Sequence, residues 1–355
     1  MHAAKGGDPS PPCSPPRPPA RGLPRRAVLA AAGLAVPFLP RPARAADLTW
    51  RIAHNAPTDF PQHLRLVEAA AAIASRTNGK MAVKVHPNSE LGSPMGLLAQ
   101  VRAGTIDAVP LTGQVLARDL PVAALPMAGF AFTGTDQLWS ALDGDTGAYI
   151  RSQIKELLGL VAMDRCWDFG FHQITTSGKV VRSAADMTGL RLRTLPEAGF
   201  ITLFRTLKAV PVTVPITALK AQLAAHDIDA QESVLPLVAA AGLYKVQSTC
   251  ALTNHIWDGD WLCVSGKSWA NLPATLQHIV AAALNESGLR QRQDIADANA
   301  SIHTAMAAAG ISFNTVDTQS FRALLRKSGY YTAWRKKMGD DAWDALEKYT
   351  GQLAP

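Results

Sequence analysis

The sequence predicts an α/β protein of two similar lobes, with mostly parallel sheets, a ligand cleft between the lobes and a long helix that spans both. Three observations predict this fold. Strand-like and helix-like segments alternate from Leu48 onward, which is typical of β-α-β units that build a parallel sheet. A second run of the same kind begins near Leu190. After Pro273, a helical pattern continues to about Ala309, far beyond the average helix of about 11 to 12 residues.

The first unit shows both hydrophobic periods and clear stop signals. In the segment 62–77, apolar residues recur at helical spacing, and Asn78-Gly79 ends the pattern. Short apolar runs on either side are typical of strands. The predicted elements are strand 48–53, helix 62–77, strand 81–85, helix 94–103, which stops at Gly104, and strand 106–111.

The second unit contains residues identical to those at corresponding positions of the first. Its predicted elements are strand 190–194, helices 197–208 and 217–225, and strand 228–231. Seven residues of the first unit match the second at constant offset: Leu97, Ala99, Gln100, Ala103, Ile106, Asp107 and Ala108 correspond to Leu219, Ala221, Gln222, Ala225, Ile228, Asp229 and Ala230. The repeat predicts two similar lobes, and the cleft between them is the expected ligand site.

Residues 1–45 have the pattern of a leader with a secretory signal peptide. Arg25-Arg26 precedes an apolar run, 27–39, and a small-x-small cleavage pattern ends at Ala45. The apolar run is shorter than the ~18 residues of a membrane span. We therefore expect export to the periplasm with cleavage near Ala45. The paired arginines are compatible with the twin-arginine route and do not exclude the Sec route.

The mature chain is long enough for two lobes with separate cores, because about 310 residues remain after the leader. The expected organisation is 46–164 mainly as lobe I, 165–255 mainly as lobe II with crossing strands, and 256–355 as a hinge strand, the long spanning helix and C-terminal helices packed on both lobes.

The mature chain is close to neutral. Lysine and arginine exceed aspartate and glutamate by 7 over the whole sequence. Six of those excess charges lie within residues 1–46, because seven basic residues there face Asp8 alone. This balance argues against a nucleic-acid surface or a polybasic membrane face.

Three cysteines remain after the leader, namely Cys166, Cys250 and Cys263. An odd number permits one disulfide at most, and Cys250 with Cys263 is the conceivable pair. Three buried apolar thiols are the favoured alternative.

The sequence motifs typical of enzymes and of metal sites are not matched in this chain. Residues 265–268 (SGKS) resemble the end of a phosphate loop, but Trp261 stands where the upstream glycine is needed. Neither a Gly-x-Ser-x-Gly elbow nor a His-Glu-x-x-His motif occurs. Six histidines show no ligand-type spacing: His54, His63, His86, His172, His226 and His255. We therefore expect no catalytic residues, no metal site and no cofactor.

Arg193 is the first candidate for ligand binding. It alternates with Arg191 along the predicted strand 190–194 and stands near the end of that strand, where open α/β sheets place their ligands. The planar fork of arginine matches a carboxylate with two parallel hydrogen bonds. An arginine on a strand is nevertheless more often a solvated or structurally paired residue.

The mature chain resembles the solute-binding proteins of tripartite ATP-independent periplasmic (TRAP) transporters, the DctP family. Each matching segment is common by itself, but their order and spacing across about 300 residues are specific. The segments are 77–80 (TNGK), 86–92 (HPNSELG), 103–107 (AGTID), 186–193 (DMTGLRLR), 227–232 (DIDAQE), 253–255 (TNH) and 269–273 (WANLP).

The resemblance implies a two-lobed periplasmic-binding-protein fold that closes on a carboxylate ligand and delivers it to TRAP membrane permease subunits. It implies a small organic acid as ligand, a monomeric protein and no enzymatic activity. A receptor that signals to a membrane sensor would use the same lobes, and an exported enzyme on this scaffold is a further alternative. Permease genes beside this one would favour transport.

The resemblance also implies which residues bind. An arginine at the position of Arg193 forms the principal salt bridge with the ligand carboxylate. His172 stands where many members have a second arginine, and Ser233 where many have an asparagine, directly after Glu232 of the shared segment 227–232. These smaller side chains favour a monocarboxylate. His172 keeps a hydrogen-bond donor, charged or neutral according to pH.

Four further residues are expected at the cleft from the same resemblance. Asn55 follows the first strand and Thr112 the third, so both would face the ligand from lobe I. Trp167 and Trp257 lie in segments that line or border the cleft in the family, where they would stack on a cyclic acid. Core packing is the alternative role for either tryptophan.

Overall fold

The computed structural model describes residues 46–355, so the predicted leader and its cleavage site lie outside the described residues. In the described part, no helix is both long and apolar enough to cross a membrane. The strands are β1 Leu48–Ala53, β2 Met81–His86, β3 Ala108–Thr112, β4 Leu160–Ala162, β5 Trp167–Thr176, β6 Arg191–Arg193, β7 Val210–Val212, β8 Ala230–Val234, β9 Thr249–Leu252, β10 Trp257–Ser265 and β11 Ser312–Thr315.

The helices alternate with these strands as predicted, and the C-terminal part is helical. They are α1 Pro61–Arg76, α2 Pro94–Ala103, α3 Gly113–Leu116, α4 Thr135–Asp143, α5 Asp145–Leu158, α6 Ala198–Thr206, α7 Ile216–Ala224, α8 Leu235–Ala240, α9 Gly266–Ala270, α10 Ala274–Ala308, α11 Thr318–Lys327, α12 Tyr330–Met338 and α13 Asp340–Thr350. Three 3₁₀ turns cover Pro121–Met127, Ala184–Met187 and Leu243–Lys245.

Helix α2 shows why the sequence signals located its ends correctly. The Ser93 side chain caps it by accepting a hydrogen bond from the Gly96 backbone N–H at 3.3 Å. Pro94 occupies the first turn, where its missing N–H costs nothing. Gly104 ends the helix with φ 79°, a left-handed conformation that glycine adopts without strain.

The two lobes repeat the same β-α-β arrangement and the same pair of hydrogen bonds between an aspartate and the backbone of an arginine on the neighbouring strand. In lobe I, β2, β1 and β3 are parallel neighbours, and in lobe II, β7, β6 and β8 are. Asp107 before β3 accepts a hydrogen bond from the Arg51 backbone N–H at 2.7 Å and donates its own N–H to the Arg51 carbonyl. Asp229 before β8 does the same with Arg191, at 3.0 Å. The residues that recur at constant offset in the sequence therefore correspond to a repeated structure.

Strands β5 and β10 join the lobes into one mixed sheet in the order β2-β1-β3-β10-β5-β8-β6-β7. The pairs inside each β-α-β unit are parallel, whereas β10 with β3, β10 with β5 and β5 with β8 are antiparallel. The two-lobed α/β fold is confirmed, and its parallel pairs lie within the β-α-β units and between β9 and β11. The crossing strands run against their neighbours because each passes from one lobe towards the other.

Helix α10 spans both lobes, as predicted, by packing on α1 in lobe I and α8 in lobe II. The helix runs without interruption through Ser287 and Gly288. A Cβ at Gly288 would lie 3.2 Å from Nε1 of Trp167. Ser287 and Gly288 are small and buried, and they therefore allow α10 to pack closely against the start of β5.

Polar side chains of α10 hold the start of β5 in place. The Gln291 amide donates to the Asp168 carbonyl at 2.7 Å and accepts from the Asp168 N–H at 2.7 Å. The Arg292 guanidinium forms two hydrogen bonds with Asp143, at 2.9 and 3.0 Å, and lies 3.8 Å from the Trp139 ring centroid. The long helix is thus fixed to the crossing strand by hydrogen bonds as well as by packing.

The three cysteines of the described chain are free and buried, so the favoured alternative of three apolar thiols is confirmed. Cys250 lies on β9 and Cys263 on β10. Burial raises the pKa of the Cys250 thiol to about 12, and a thiol so reluctant to ionise is a poor nucleophile.

We predict that Gly259→Ala destabilises the crossing strands. An added Cβ would overlap the Trp257 ring and the backbone oxygen of Trp167, both of which are buried. Such overpacking costs about 1 to 3 kcal/mol in the free energy of unfolding, which urea denaturation measures. The control is Gly199→Ala in α6, where nothing lies within 4 Å. There we expect no loss and at most ~1 kcal/mol of gain. Equal stabilities for the two variants would contradict the prediction.

Candidate functional site

The pairing of the strands brings the carboxyl ends of the parallel strands in both lobes towards the crossing strands β5 and β10. Strand β3 ends at Thr112, which pairs with Asp260 of β10, and Asp260 pairs with Trp167 of β5. Strand β8 ends at Val234, which pairs with His172 of the same β5. Five residues of strand separate these two levels, or roughly 16 Å. Because ligands of open α/β sheets bind at the carboxyl ends of strands, the cleft lies over this stretch of β5 and β10.

Lobe I contributes a cavity of about 500 Å³ to this region. Asn55 and Thr112, two of the residues expected at the cleft, both line it. The Asn55 amide donates to the Ser89 hydroxyl at 2.6 Å, and the Thr112 hydroxyl caps α3. The rings of Phe60 and Phe169 stack at 5.6 Å between centroids and form an apolar wall. The cavity therefore offers a few polar groups on a mainly apolar surface.

Asp260 is a buried carboxyl group at the base of this cavity that sequence analysis missed. It is 4 % exposed and accepts a hydrogen bond of 2.5 Å from the Gln62 amide. Burial, with the nearby negative charge of Asp258, raises the pKa of Asp260 to about 8. Asp260 is therefore largely protonated at neutral pH, and the group can donate a hydrogen bond as well as accept one.

Arg193 ends β6 in lobe II and is only 6 % exposed. Its Nε donates to the Val214 carbonyl at 3.2 Å, while its Nη1 has no hydrogen-bond partner among the described residues. Burial lowers the pKa of Arg193, against the opposing negative charges of Glu232 and Glu197. Neither carboxylate lies within ion-pair distance of the guanidinium. Arg193 is thus a buried cation without a paired anion in the described chain.

Arg191, two residues earlier, shows the structural alternative. Its guanidinium is exposed and forms an ion pair with Asp229 at 2.6 Å. The two arginines that alternate along β6 therefore have different roles. Arg191 stabilises lobe II through its ion pair with Asp229, whereas Nη1 of Arg193 remains a hydrogen-bond donor that no described residue uses.

His172 and Glu232 meet beneath the cleft, together with a second histidine, His255. Nδ1 of His172 lies 2.5 Å from Oε2 of Glu232, and Nε2 of His255 lies 3.4 Å from the same oxygen. Burial by itself lowers the pKa of His172, but the adjacent Glu232 carboxylate outweighs it and the net pKa is raised. Burial also disfavours ionised Glu232, yet His172 holds the pKa of this carboxyl well below its usual range.

Ser233 points away from this cluster. Adjacent residues on a strand face opposite sides, so Ser233 shares its face with Gln173, its partner on β5, rather than with Glu232. Arg193 pairs with Gln231 and therefore lies on the Ser233 face. The structure thus groups Arg193 with Ser233, and His172 with Glu232.

Trp167 and Trp257 lie in the core beneath the crossing strands, at 0 % and 3 % exposure, and neither lines the lobe I cavity. Nε1 of Trp257 donates to the Asp168 carboxylate at 2.8 Å, and its ring meets that of Trp139 edge to face. Burial raises the pKa of Asp168 to about 6. This placement agrees with the core-packing alternative for both tryptophans.

The sequence profile of bacterial extracellular solute-binding protein family 7, the DctP family, matches residues 52–333. The chain belongs to that family. The resemblance inferred from the sequence is thereby confirmed, and this DctP-family protein is a solute-binding protein of the TRAP type.

A curated relative and two solved structures agree with this assignment. The 2,3-diketo-L-gulonate-binding periplasmic protein YiaO of Escherichia coli K12 is 28% identical over 261 residues, covering 73% of this chain and 79% of the relative. A TRAP periplasmic solute-binding protein from Ochrobactrum anthropi has a TM-score of 0.81 at 22% identity, covering 87% of this chain and 95% of that one. Another, from Sulfitobacter sp. NAS-14.1 with bound β-D-galacturonate, has a TM-score of 0.72 at 20% identity, covering 86% and 100%.

The site of this DctP-family protein contains residues that no sequence pattern revealed. In the sequence, His255 stood only among the histidines without ligand-type spacing and within the shared segment 253–255, and neither Gln62 nor Asp260 was singled out as a site residue. Gln62 of α1 and Asp260 of β10 are 198 positions apart, and their contact forms only in the folded chain. The one available signal was the pair of acidic residues, Asp258 and Asp260, within an otherwise apolar strand.

We predict that Asp260 makes the stability of the protein depend on pH. An unfolded aspartate titrates near pH 3.9, whereas the folded pKa is about 8. The contribution of a raised group is complete below the unfolded pKa and is lost as pH rises through the folded pKa. Asp260→Asn lacks this loss, so its unfolding free energy relative to wild type should grow between pH ~4 and ~8, by on the order of a few kcal/mol, and then level off.

Urea unfolding at a series of pH values measures this difference. Asp341→Asn, at an exposed position of α13, is the matched control with which the Asp260→Asn difference is compared. A pH-independent difference for Asp260→Asn would show that Asp260 is ionised in the folded protein.

Proposed function

We propose that the protein is exported to the periplasm with cleavage near Ala45, captures a small organic acid there and delivers it to a TRAP membrane permease. The observation that carries this proposal is the buried, unpaired guanidinium of Arg193 at the carboxyl end of β6. Its support comes from family membership, which gives solute binding, and from the cleft between the two lobes.

The environment of Arg193 favours an anionic ligand. A buried charge without a partner is costly, and a carboxylate relieves this cost by pairing with the guanidinium. Nη1 is free, and the fork of arginine suits a carboxylate with two hydrogen bonds. We assign the ligand carboxylate to Arg193, with the Ser233 hydroxyl on the same face of the sheet as a second contact.

The charges around the cleft support one carboxylate rather than two. His172 is already balanced by Glu232 at 2.5 Å, which leaves Arg193 as the uncompensated cation of the described site. In lobe I, the residues that line the cavity include neither lysine nor arginine. A second carboxylate there would meet Asp260 and an apolar wall. We therefore propose a monocarboxylate, held by Arg193 in lobe II.

The other end of the ligand should be uncharged and partly hydroxylated. Asn55, Thr112 and Asp260 line the lobe I cavity beside the stacked Phe60 and Phe169 rings. Hydroxyl groups would find donors and acceptors in the first three, and the carbon faces of a ring would find the aromatic wall. The relatives support this class, because 2,3-diketo-L-gulonate and β-D-galacturonate each carry one carboxylate on an oxygenated body.

A thermal-shift screen of organic acids tests the proposed function. Hexuronates and hexonates should raise the melting temperature by several degrees, because a ligand at 100 times its Kd stabilises the native state by about 2.7 kcal/mol. Succinate tests the monocarboxylate assignment and should give a smaller shift. The methyl ester of each active acid is the control without a negative charge. An ester as effective as its acid, or a screen without any active acid, would overturn the proposal.

Arg193→Lys should keep the charge and lose the fork. We expect calorimetry with the best acid of the screen to show weaker binding, and Arg193→Ala a greater loss of about 2 to 5 kcal/mol, or at least ~30-fold in Kd. Arg191→Lys is the matched control on the same strand, because its exposed ion pair with Asp229 is remote from the proposed contact. Unchanged affinity in Arg193→Ala, with the fold intact, would remove this residue from the site.

A further inference from the structure

We propose that His172, Glu232 and His255 form a binding site for a divalent transition-metal ion, with Zn²⁺ as the best-matched ion. One donor atom from each residue can be chosen so that the three all lie within 4.8 Å of one another. All three side chains are more than nine-tenths buried. Two imidazoles and one carboxylate are a donor set that zinc takes in proteins, with a fourth position left open.

The side chains around the cluster aim these donors at a common point. The second oxygen of Glu232, Oε1, accepts a hydrogen bond from the Thr194 hydroxyl at 2.8 Å, which leaves Oε2 facing both histidines. Nδ1 of His255 lies 2.7 Å from the Thr253 hydroxyl, which directs its Nε2 towards Glu232. Such outer hydrogen bonds fix the orientation and tautomer of metal ligands.

The distances fit a tetrahedral ion after a small adjustment. Metal bonds of about 2.0 to 2.2 Å separate neighbouring ligand atoms by about 3.4 Å. Nε2 of His255 and Oε2 of Glu232 are already 3.4 Å apart. Nδ1 of His172 lies 2.5 Å from the same oxygen, so the imidazole must move outward by about 1 Å to admit the ion. The ring of His172 packs against the buried Phe200 of α6 at 5.4 Å between centroids.

The site depends on the histidine at position 172. The resemblance to TRAP solute-binding proteins places an arginine there in many members, and a guanidinium stays protonated and donates only. The imidazole of His172 supplies a lone pair instead. The proposed metal site is therefore a property of this chain and does not rest on which solute it binds.

Direct metal titration tests the proposal. The purified protein is treated with EDTA, dialysed, and titrated with Zn²⁺ in a calorimeter and with Co²⁺ in a spectrophotometer. We expect one equivalent of Zn²⁺ to bind and the Co²⁺ form to show the visible absorption of a tetrahedral ion. Glu232→Gln should weaken Zn²⁺ binding by at least ~100-fold, because it replaces a ligand rather than an outer residue.

A milder variant distinguishes a specific loss of Zn²⁺ binding from a folding defect. Thr253→Val keeps all three ligands and removes the hydrogen bond to His255, so we expect Zn²⁺ binding to weaken by about 10- to 100-fold. The matched control is His63→Gln, which breaks the other close histidine pair, His54 with His63 at 3.0 Å. It should leave Zn²⁺ affinity unchanged.

Three results would overturn the proposal. They are an absence of Zn²⁺ binding to the wild-type protein, an affinity that neither Glu232→Gln nor Thr253→Val changes, and binding that His63→Gln abolishes. Circular dichroism of each variant confirms that the fold is retained before the affinities are compared.

Discussion

The antiparallel pairing of β5 with β10 is the constraint on which the rest of the molecule depends. Each crossing strand belongs to both lobes: β10 pairs with β3 in lobe I, β5 pairs with β8 in lobe II, and the two pair with each other in between. Because the strands cross, the carboxyl ends of the parallel strands in both lobes point towards the same central stretch. Helix α10 holds that stretch from the opposite side through Gln291 and the backbone of Asp168. The position of the cleft follows from this pairing.

The charged groups of the two lobes separate into satisfied and unsatisfied sets, and the difference carries the functional meaning. Arg191 and Arg292 have carboxylate partners and therefore serve structure. His172 and Glu232 neutralise one another. Arg193 has one backbone acceptor and an unused Nη1, which costs stability in the free protein. Natural proteins retain such a cost where a ligand relieves it. The fold thus gives up stability at the position where we propose that an anion binds.

The sequence predicted those parts of the structure that depend on neighbouring residues. The start and end of α2 follow from Ser93, Pro94 and Gly104, and the repeated Ile-Asp-Ala endings correctly marked equivalent strands. Arg193 was singled out from its place near the end of a predicted strand together with the resemblance to the DctP family. The cluster with His255 and the pair of Gln62 with Asp260 could not be predicted, since they arise from tertiary contacts between residues 23 to 198 positions apart. The face on which Ser233 lies, opposite that of Glu232, likewise becomes visible only once β8 is paired.

The same strand order has a consequence for how the chain folds. Strand β10 occupies the middle of the sheet, between β3 and β5, although it comes after all but one of the other strands in the chain. The sheet of lobe I therefore stays open along β3 until residues 257–265 have been synthesised, and α10, which braces both lobes, follows later still. Pairing at such long sequence separation makes folding slow, because loop closure precedes any gain from contact. Neither lobe is complete on its own, so the nascent protein remains unfinished until its last third is available.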